Sequence, residues 1–500
     1  MKTFLFLATG TLAGVAAIVA LAGLPSKWLF VIVFGAVCAG VCVLLVPIIG
    51  SLRHTLEAFL IFTFSMNIHV HIGYSERYRD VRYGVPITTL DAVILVALYA
   101  VLGYQVLLKA RRINLFPTVT VPLLCLIVWS ALSSLWSPKP DYALYQLGGL
   151  IEMFFLFLYA GNCAKSEHDL AFYTRCVAFT VSVSSLVAIY QFATGTSWGF
   201  AFLGMERAEE VMSVQAGVTR AAGFLGHPNG LAWFLTQWLP LLIIFGIMVP
   251  RSKLRSVCLL SSLLGFFGLV FTFSRAGWLA FAVSIVLIFI CFIAVQQKQK
   301  APRHNVHRLA ALLISSAIVG GCLSPVIILR LTGGDEGAAY SRVPLALVAL
   351  NTIKHNPVLG VGLGNYEYVM EKYDNTPERI ATPPNKDAEA LAVHNIYLLL
   401  AAELGIPALL VFLLLSLHII KKAVSLLRSQ RDSLAFFGAA LLVGLLAFYA
   451  QALVQPGGIG TTRFRPFWFM CGLVFACSRL ANDRESTSKL RCVNDGGNTR

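Results

Sequence analysis

The stretch LAVHNIYLLLAAELGIPALLVFLLLSL, residues 391–417, decides the fold class. Beyond the His394-Asn395 pair it is almost wholly apolar. As a helix rising about 1.5 Å per residue it is long enough to cross the roughly 30 Å of a bilayer's hydrocarbon core. Comparable runs recur from end to end. They fall at roughly 3–24, 28–50, 55–73, 88–108, 114–136, 145–163, 171–194, 224–249, 256–273, 277–296, 309–331, 392–419, 433–455 and 464–480. The expected architecture is therefore all-α: a polytopic integral membrane protein with about 14 (12–14) transmembrane helices. Residues 1–500 form a single membrane domain, with a short cytoplasmic tail at 481–500.

Composition agrees. Of 500 residues, 57% are hydrophobic and 13% charged, and the mean hydropathy is +0.76, which excludes a soluble globular protein of this length. Lys2 precedes the first run, as in a signal peptide, but no small-x-small cleavage site closes it, so we read a retained anchor. The net charge of +15 follows topology and not nucleic-acid binding. With both termini inside, the basic stretches KARR (109–112), RSKLR (251–255), KQKAPRHNVHR (298–308) and KK (421–422) all fall on inner loops. Of the 11 cysteines, none falls in an outer loop and no pair has zinc-site spacing, so neither a disulfide scaffold nor a metal centre is expected.

The same topology leaves two substantial outer loops, 195–222 and 332–391. A connection as long as the second is usually functional. It opens with TGGDEGAA (332–339). The following SRVPLALVALNTIKHNPVLGVGLGNY (341–366) reads as an amphipathic helix and then a glycine turn. Ser341 suits an N-cap, and apolar positions 343, 346, 347, 350 and 353 form a stripe suited to the membrane surface. GVGLGN (360–365) follows no strand–helix pattern and is a turn, not a nucleotide loop.

Three arginines mark the outer edge: Arg220 in TRAAGFLGHPNGLA, Arg275 in the short turn FTFSRAGW, and Arg342 at the start of the amphipathic segment. An interfacial anchor or structural ion pair explains any one of them. Three on one leaflet, together with His394, suggest an anionic ligand, because a guanidinium grips phosphate through paired hydrogen bonds. His394 can accept a proton from a hydroxyl at neutral pH. His227 and Asn229, in GHPNG, suit a helix start, His355 a helix end, and His69 and His71 the interface. Glu152 lies inside an apolar run, as a functional group or as a partner for a neighbouring helix. Glu403, nine positions after His394, is not placed to orient its imidazole.

Four stretches in this order resemble the bacterial O-antigen ligase and polysaccharide polymerase family: TRAAGFLGHPNGLAWFL (219–235), TFSRAGWLAF (272–281), SRVPLALVALNTIKHNPVLGVGLGNY (341–366) and AVHNIYLLLAAELGIPALLVF (392–412). The resemblance implies an inner-membrane glycosyltransferase with a periplasmic active site. It would move a glycan from an undecaprenyl-diphosphate donor to a hydroxyl of a glycan acceptor, either lipid A-core or a lipid-linked repeat unit. It also implies His394 as the catalytic base, Arg220, Arg342 and Arg275 on the diphosphate, and Asn395, His227 and Asn229 in support. Arginines stabilise a diphosphate leaving group without a metal, so inversion with neither metal nor cofactor is expected. The alternative is a lipid-linked oligosaccharide flippase or polysaccharide transporter. It would show related halves around a central charged cavity, and the sequence shows no internal repeat.

Overall fold

The structure, a computed structural model, describes residues 40, 44–66, 71–75, 83–86, 90–109, 112–196, 220–250, 252–299, 321, 342–377, 393–455 and 457–496. The expected spans 3–24 and 309–331, most of 28–50 and most of the 195–222 loop lie outside these residues, as does His69.

Helices dominate. They are α1 (Leu52–Thr63), α2 (Leu90–Lys109), α3 (Pro117–Ser133), α4 (Pro140–Cys163), α5 (Glu167–Thr194), α6 (Pro228–Met248), α7 (Lys253–Phe271), α8 (Arg275–Gln299), α9 (Arg342–His355), α10 (Ile396–Leu426), α11 (Asp432–Ala452) and α12 (Arg465–Gly496). Among the described residues, seven are long and apolar enough to cross a membrane: α4, α5, α6, α7, α8 through Val295, α10 and α11. Their positions match seven of the expected spans. In α2 and α3 the apolar helices, Ala92–Leu108 and Pro117–Ser133, are shorter. The tail does not end the last helix, because α12 continues through residues 481–496.

The all-α expectation holds for the fold class, with one local exception among the described residues. The run 55–73 is helical only to Thr63, and His71–Ser75 pairs with Tyr83–Pro86 as an antiparallel hairpin, β1 and β2, with His71 opposite Pro86 and Ile72 opposite Val85. Hydropathy alone does not separate an apolar strand from an apolar helix. Gly73, Gly84 and Pro86 weaken helix here.

The core is built around α6, which is buried along its whole length. It packs against α7, with α5 behind α7, and against α8 and α11, which also pack on each other; α11 leads to the group α3, α4, α10 and α12. Small residues permit close approach, as membrane helices require. A Cβ on Gly268 would lie 2.8 Å from Ser185 Oγ, and one on Gly472 2.5 Å from the Phe157 carbonyl oxygen. Outward faces of α7 and α8 carry exposed Leu260, Leu263, Val286 and Ile290, the surface a lipid-facing helix presents. Away from the end that carries His394, Arg53 of α1 ties three helices together. It donates to the Cys163 carbonyl (3.0 Å) and to Asp169 Oδ1 (2.9 Å), and Tyr159 donates to Glu57 Oε1 (2.7 Å).

Candidate functional site at one end of the bundle

Arg220 stands on a short loop before α6, and its placement is fully determined by neighbours. The Ala221 amide donates to the Phe271 carbonyl at 2.9 Å. From α5, Gln191 Oε1 accepts from the amides of Ala222 (3.0 Å) and Gly223 (2.8 Å), and its Nε2 donates to the Gly223 carbonyl (3.1 Å). Gly223 takes the positive φ (58°) that lets the loop turn against Leu231. The side chain of Arg220 is only 8% exposed. Its Nε donates to the Thr272 carbonyl at 3.0 Å and its Nη2 to Asn229 Oδ1 at 3.1 Å. The guanidinium plane is therefore fixed before any ligand arrives, which lowers the ordering cost of binding.

His227 caps α6: its Nδ1 accepts the Asn229 amide at 3.0 Å. Nδ1 is then the unprotonated nitrogen of a neutral ring, and Nε2 carries the proton. Enclosure by protein, followed by the charges of Arg463, Arg220 and His394, pushes this imidazole down to about 3. The ring nevertheless keeps an exposed face. Enclosure is the larger cause and the positive neighbours add to it, which leaves the ring neutral at physiological pH. The charges of Arg220, His394 and Arg463 all act on His227, although the four residues come from three separate parts of the chain.

Asn395, next to His394, is the N-cap of α10, its side chain accepting the Leu398 amide at 3.0 Å. This fixes the backbone on which His394 sits. Ten residues on, Gly405 (φ 83°, ψ 168°) breaks α10 and separates the first turns from the long apolar part. The glycine turn lies against this break. Val361 and Gly362 donate to the carbonyls of Ala402 (2.9 Å) and Glu403 (2.8 Å), and Ile406 donates to that of Pro357 (2.8 Å). A Cβ on Gly360 would sit 2.2 Å from the Glu403 carbonyl oxygen. The Glu403 carboxylate, buried, accepts from the backbone of Gly364 and Tyr366, so its work is to hold this turn.

The other arginines are placed differently. Arg275 begins α8 directly after the turn whose Thr272 carbonyl holds Arg220. Arg342 opens α9 and is exposed. That helix packs Leu345, Val348 and Ala349 with Val393, Leu399 and Ala402, and so braces the segment that follows His394. The stripe read from the sequence is its opposite face: Val343, Leu347 and Leu350 are 66%, 48% and 50% exposed, as a membrane-surface face would be. Glu152 is an ion-pair partner, with Arg465 Nε at 3.2 Å from its Oε1.

Sequence reasoning missed Arg463 and Gln191. Arg463 stands in TTRFRPF, at the outer edge of the last expected span, where the rule that singled out the other arginines would also have found it. Gln191 carried no signal, since a lone glutamine near a span end has many uses.

Among the described residues no group of His, Cys, Asp and Glu is arranged to hold a metal ion. No curated protein matches the chain. Residues 260–413 match the family model described as O-antigen ligase, a segment that includes Arg275, Arg342 and His394. The match covers about a third of the chain and sits beside a multi-pass helical bundle that gathers basic groups and imidazoles at one end; over residues 260–413 the chain is similar to the O-antigen ligase family.

Proposed function

We propose that this end of the bundle transfers a glycan from a polyprenyl diphosphate, undecaprenyl diphosphate in the reading from sequence, to a sugar hydroxyl at the periplasmic face of the inner membrane. The observation that carries the proposal is the convergence of Arg220, Arg463 and His394 on His227. Positive charge collected in a partly dehydrated site is suited to a diphosphate, whose negative charge grows as the glycosidic bond to it breaks. Arg220, already held by Thr272 and Asn229, supplies fixed charge, Arg463 supplies more, and Arg275 and Arg342 extend it along the same edge. His394 accepts the proton of the attacking hydroxyl, worth about 10²–10⁴-fold in rate. Attack opposite the diphosphate inverts the anomeric carbon. The charge stabilisation comes from guanidinium groups, so the reaction as proposed needs no metal.

The test is the surface-glycan profile of a deletion strain complemented with wild type or with His394→Ala. A profile like that of the deletion supports the base, and its form assigns the acceptor. Single repeats in place of long chains identify a polymerase, whereas full-length chains left on their lipid carrier identify a ligase. A normal profile removes His394 from the mechanism and favours transport.

A further inference from the structure

A groove of about 1060 Å³ lies beside the break in α10. One wall is Trp136, from the turn between α3 and α4. The turn that follows α9, and Tyr368, Val369, Glu371, Lys372 and Tyr373, supply the rest of the lining. Its volume is just above the roughly 300–1,000 Å³ of sites for compact small molecules, and it is open along its length, which suits an extended chain.

The walls combine rings with hydrogen-bonding groups. Tyr373 is held rigidly: its Oη accepts from Asn356 Nδ2 (3.0 Å) and its carbonyl from Asn351 Nδ2 (2.7 Å). The ring of His355 lies 5.6 Å from it, and Lys372 Nζ is 5.5 Å above it. His355 Nδ1 bonds the Asn351 carbonyl at 2.8 Å. A carbonyl only accepts, so Nδ1 carries the proton and Nε2 is left as an acceptor for a hydroxyl. Glu371 and Lys372 bring opposite charges, and Lys139 Nζ lies 5.3 Å over the ring of Tyr368, so the groove is weakly cationic and has no arginine among its lining residues.

We propose that this groove binds an extended, weakly charged oligosaccharide segment of the glycan being transferred or extended. Sugar rings present apolar C–H faces to Trp136 and Tyr368 and hydroxyl edges to His355, Lys372 and Glu371, while Tyr373, faced by His355 and Lys372, orders those two side chains. A lipid tail is disfavoured because it would bury those polar groups without partners, and Glu371 repels a polyanion. The groove is joined to the reaction centre: its wall is hydrogen-bonded to Ala402, about 12 Å of helix from His394. Binding here would hold a few sugar units in line with the proposed base. The inference rests on the glycosyl-transfer reading and names the part of the substrate recognised away from the diphosphate.

The experiment uses the full chain in lipid nanodiscs. The probe is the saccharide released by mild acid from the producing strain's polyprenyl diphosphate and fluorescently labelled at its reducing end. Wild type and His394→Ala bind it equally, Trp136→Ala and Tyr368→Ala weaken binding on the order of tenfold, and Tyr368→Phe restores it. As a measurement that needs no loss of packing, maleimide labelling of Val358→Cys at the groove's exposed lip is slowed by the same saccharide. The proposal is overturned if wild type shows no saturable binding, if the two alanine variants bind as wild type does, or if a long-chain fatty acid displaces the probe and unlabelled saccharide does not. Transfer retained by His394→Ala beside weakened binding by Tyr368→Ala would refute the catalytic base and leave the groove standing. The converse pair of results would do the reverse.

Discussion

Arg220→Lys separates charge from geometry at the proposed diphosphate site. The substitution keeps the positive charge and loses the planar fork. In the native protein the fork donates from Nε to the Thr272 carbonyl at 3.0 Å and from Nη2 to Asn229 Oδ1 at 3.1 Å. Each is a bond from a charged donor, worth about 1.5–3 kcal/mol. With the residue only 8% exposed, solvent does not replace what is lost. Lysine, with one ammonium, reaches one of these acceptors, so the expected net cost is about 2 kcal/mol, or roughly thirtyfold in an equilibrium or a rate. Thermal unfolding in nanodiscs gives the structural share of that cost. Transfer from purified lipid-linked donor, at several donor concentrations, gives the functional share. We expect a lower unfolding temperature together with a raised KM for the donor, because the charge remains but is no longer aimed. Unchanged unfolding and unchanged transfer would refute the claim that the fork is what Thr272 and Asn229 hold in place.

Other outcomes follow from the same geometry. Glu152→Gln and Arg465→Met each leave one buried charge without its partner and should each destabilise by about 3–5 kcal/mol, while the double replacement Glu152→Gln/Arg465→Met costs less than their sum; thermal unfolding of the three variants checks this. Gly360→Ala forces a Cβ to 2.2 Å from the Glu403 carbonyl oxygen at a backbone φ of 66°; it should lower the unfolding temperature and the transfer rate together, measured on the same preparations. His227 is depressed in the folded protein, to about 3. Its unfolded state therefore binds the extra proton first, and its contribution to stability is present above pH 6.5 and lost as pH falls from about 6.5 towards 3. His227→Asn retains a side chain able to cap α6 and should flatten stability across pH 7 to 5, as read by unfolding at each pH.

Legibility in the sequence divided along physical lines. Runs such as 224–249 and 433–455 announce membrane helices because the bilayer sets one length and one solvent for every span. The glycine turn at 360–364 was legible because only glycine readily takes the positive φ that such a turn needs, and the structure gives 66°, 97° and 69° at Gly360, Gly362 and Gly364. The hairpin at 71–86 was not legible as such, since an apolar run of strand length reads as the end of a span. Glu152 illustrates an intermediate case: its position inside a span required a partner, but the choice of Arg465, far along the chain, depends on α4 lying beside α12.

By itself the sequence determined a multi-pass helical protein and the chemistry at its edge, because hydrophobic length, charge and the side-chain types of Arg220, Arg275, Arg342 and His394 are local properties. Tertiary structure alone decided which of them meet. It brought Arg220, His394 and Arg463 within electrostatic reach of His227, placed Arg342 on a bracing helix, and assigned Gln191 and Glu403 to holding loops. Such meetings depend on which helices pack together, and packing is a property of surfaces distant in sequence whose fit no single segment encodes.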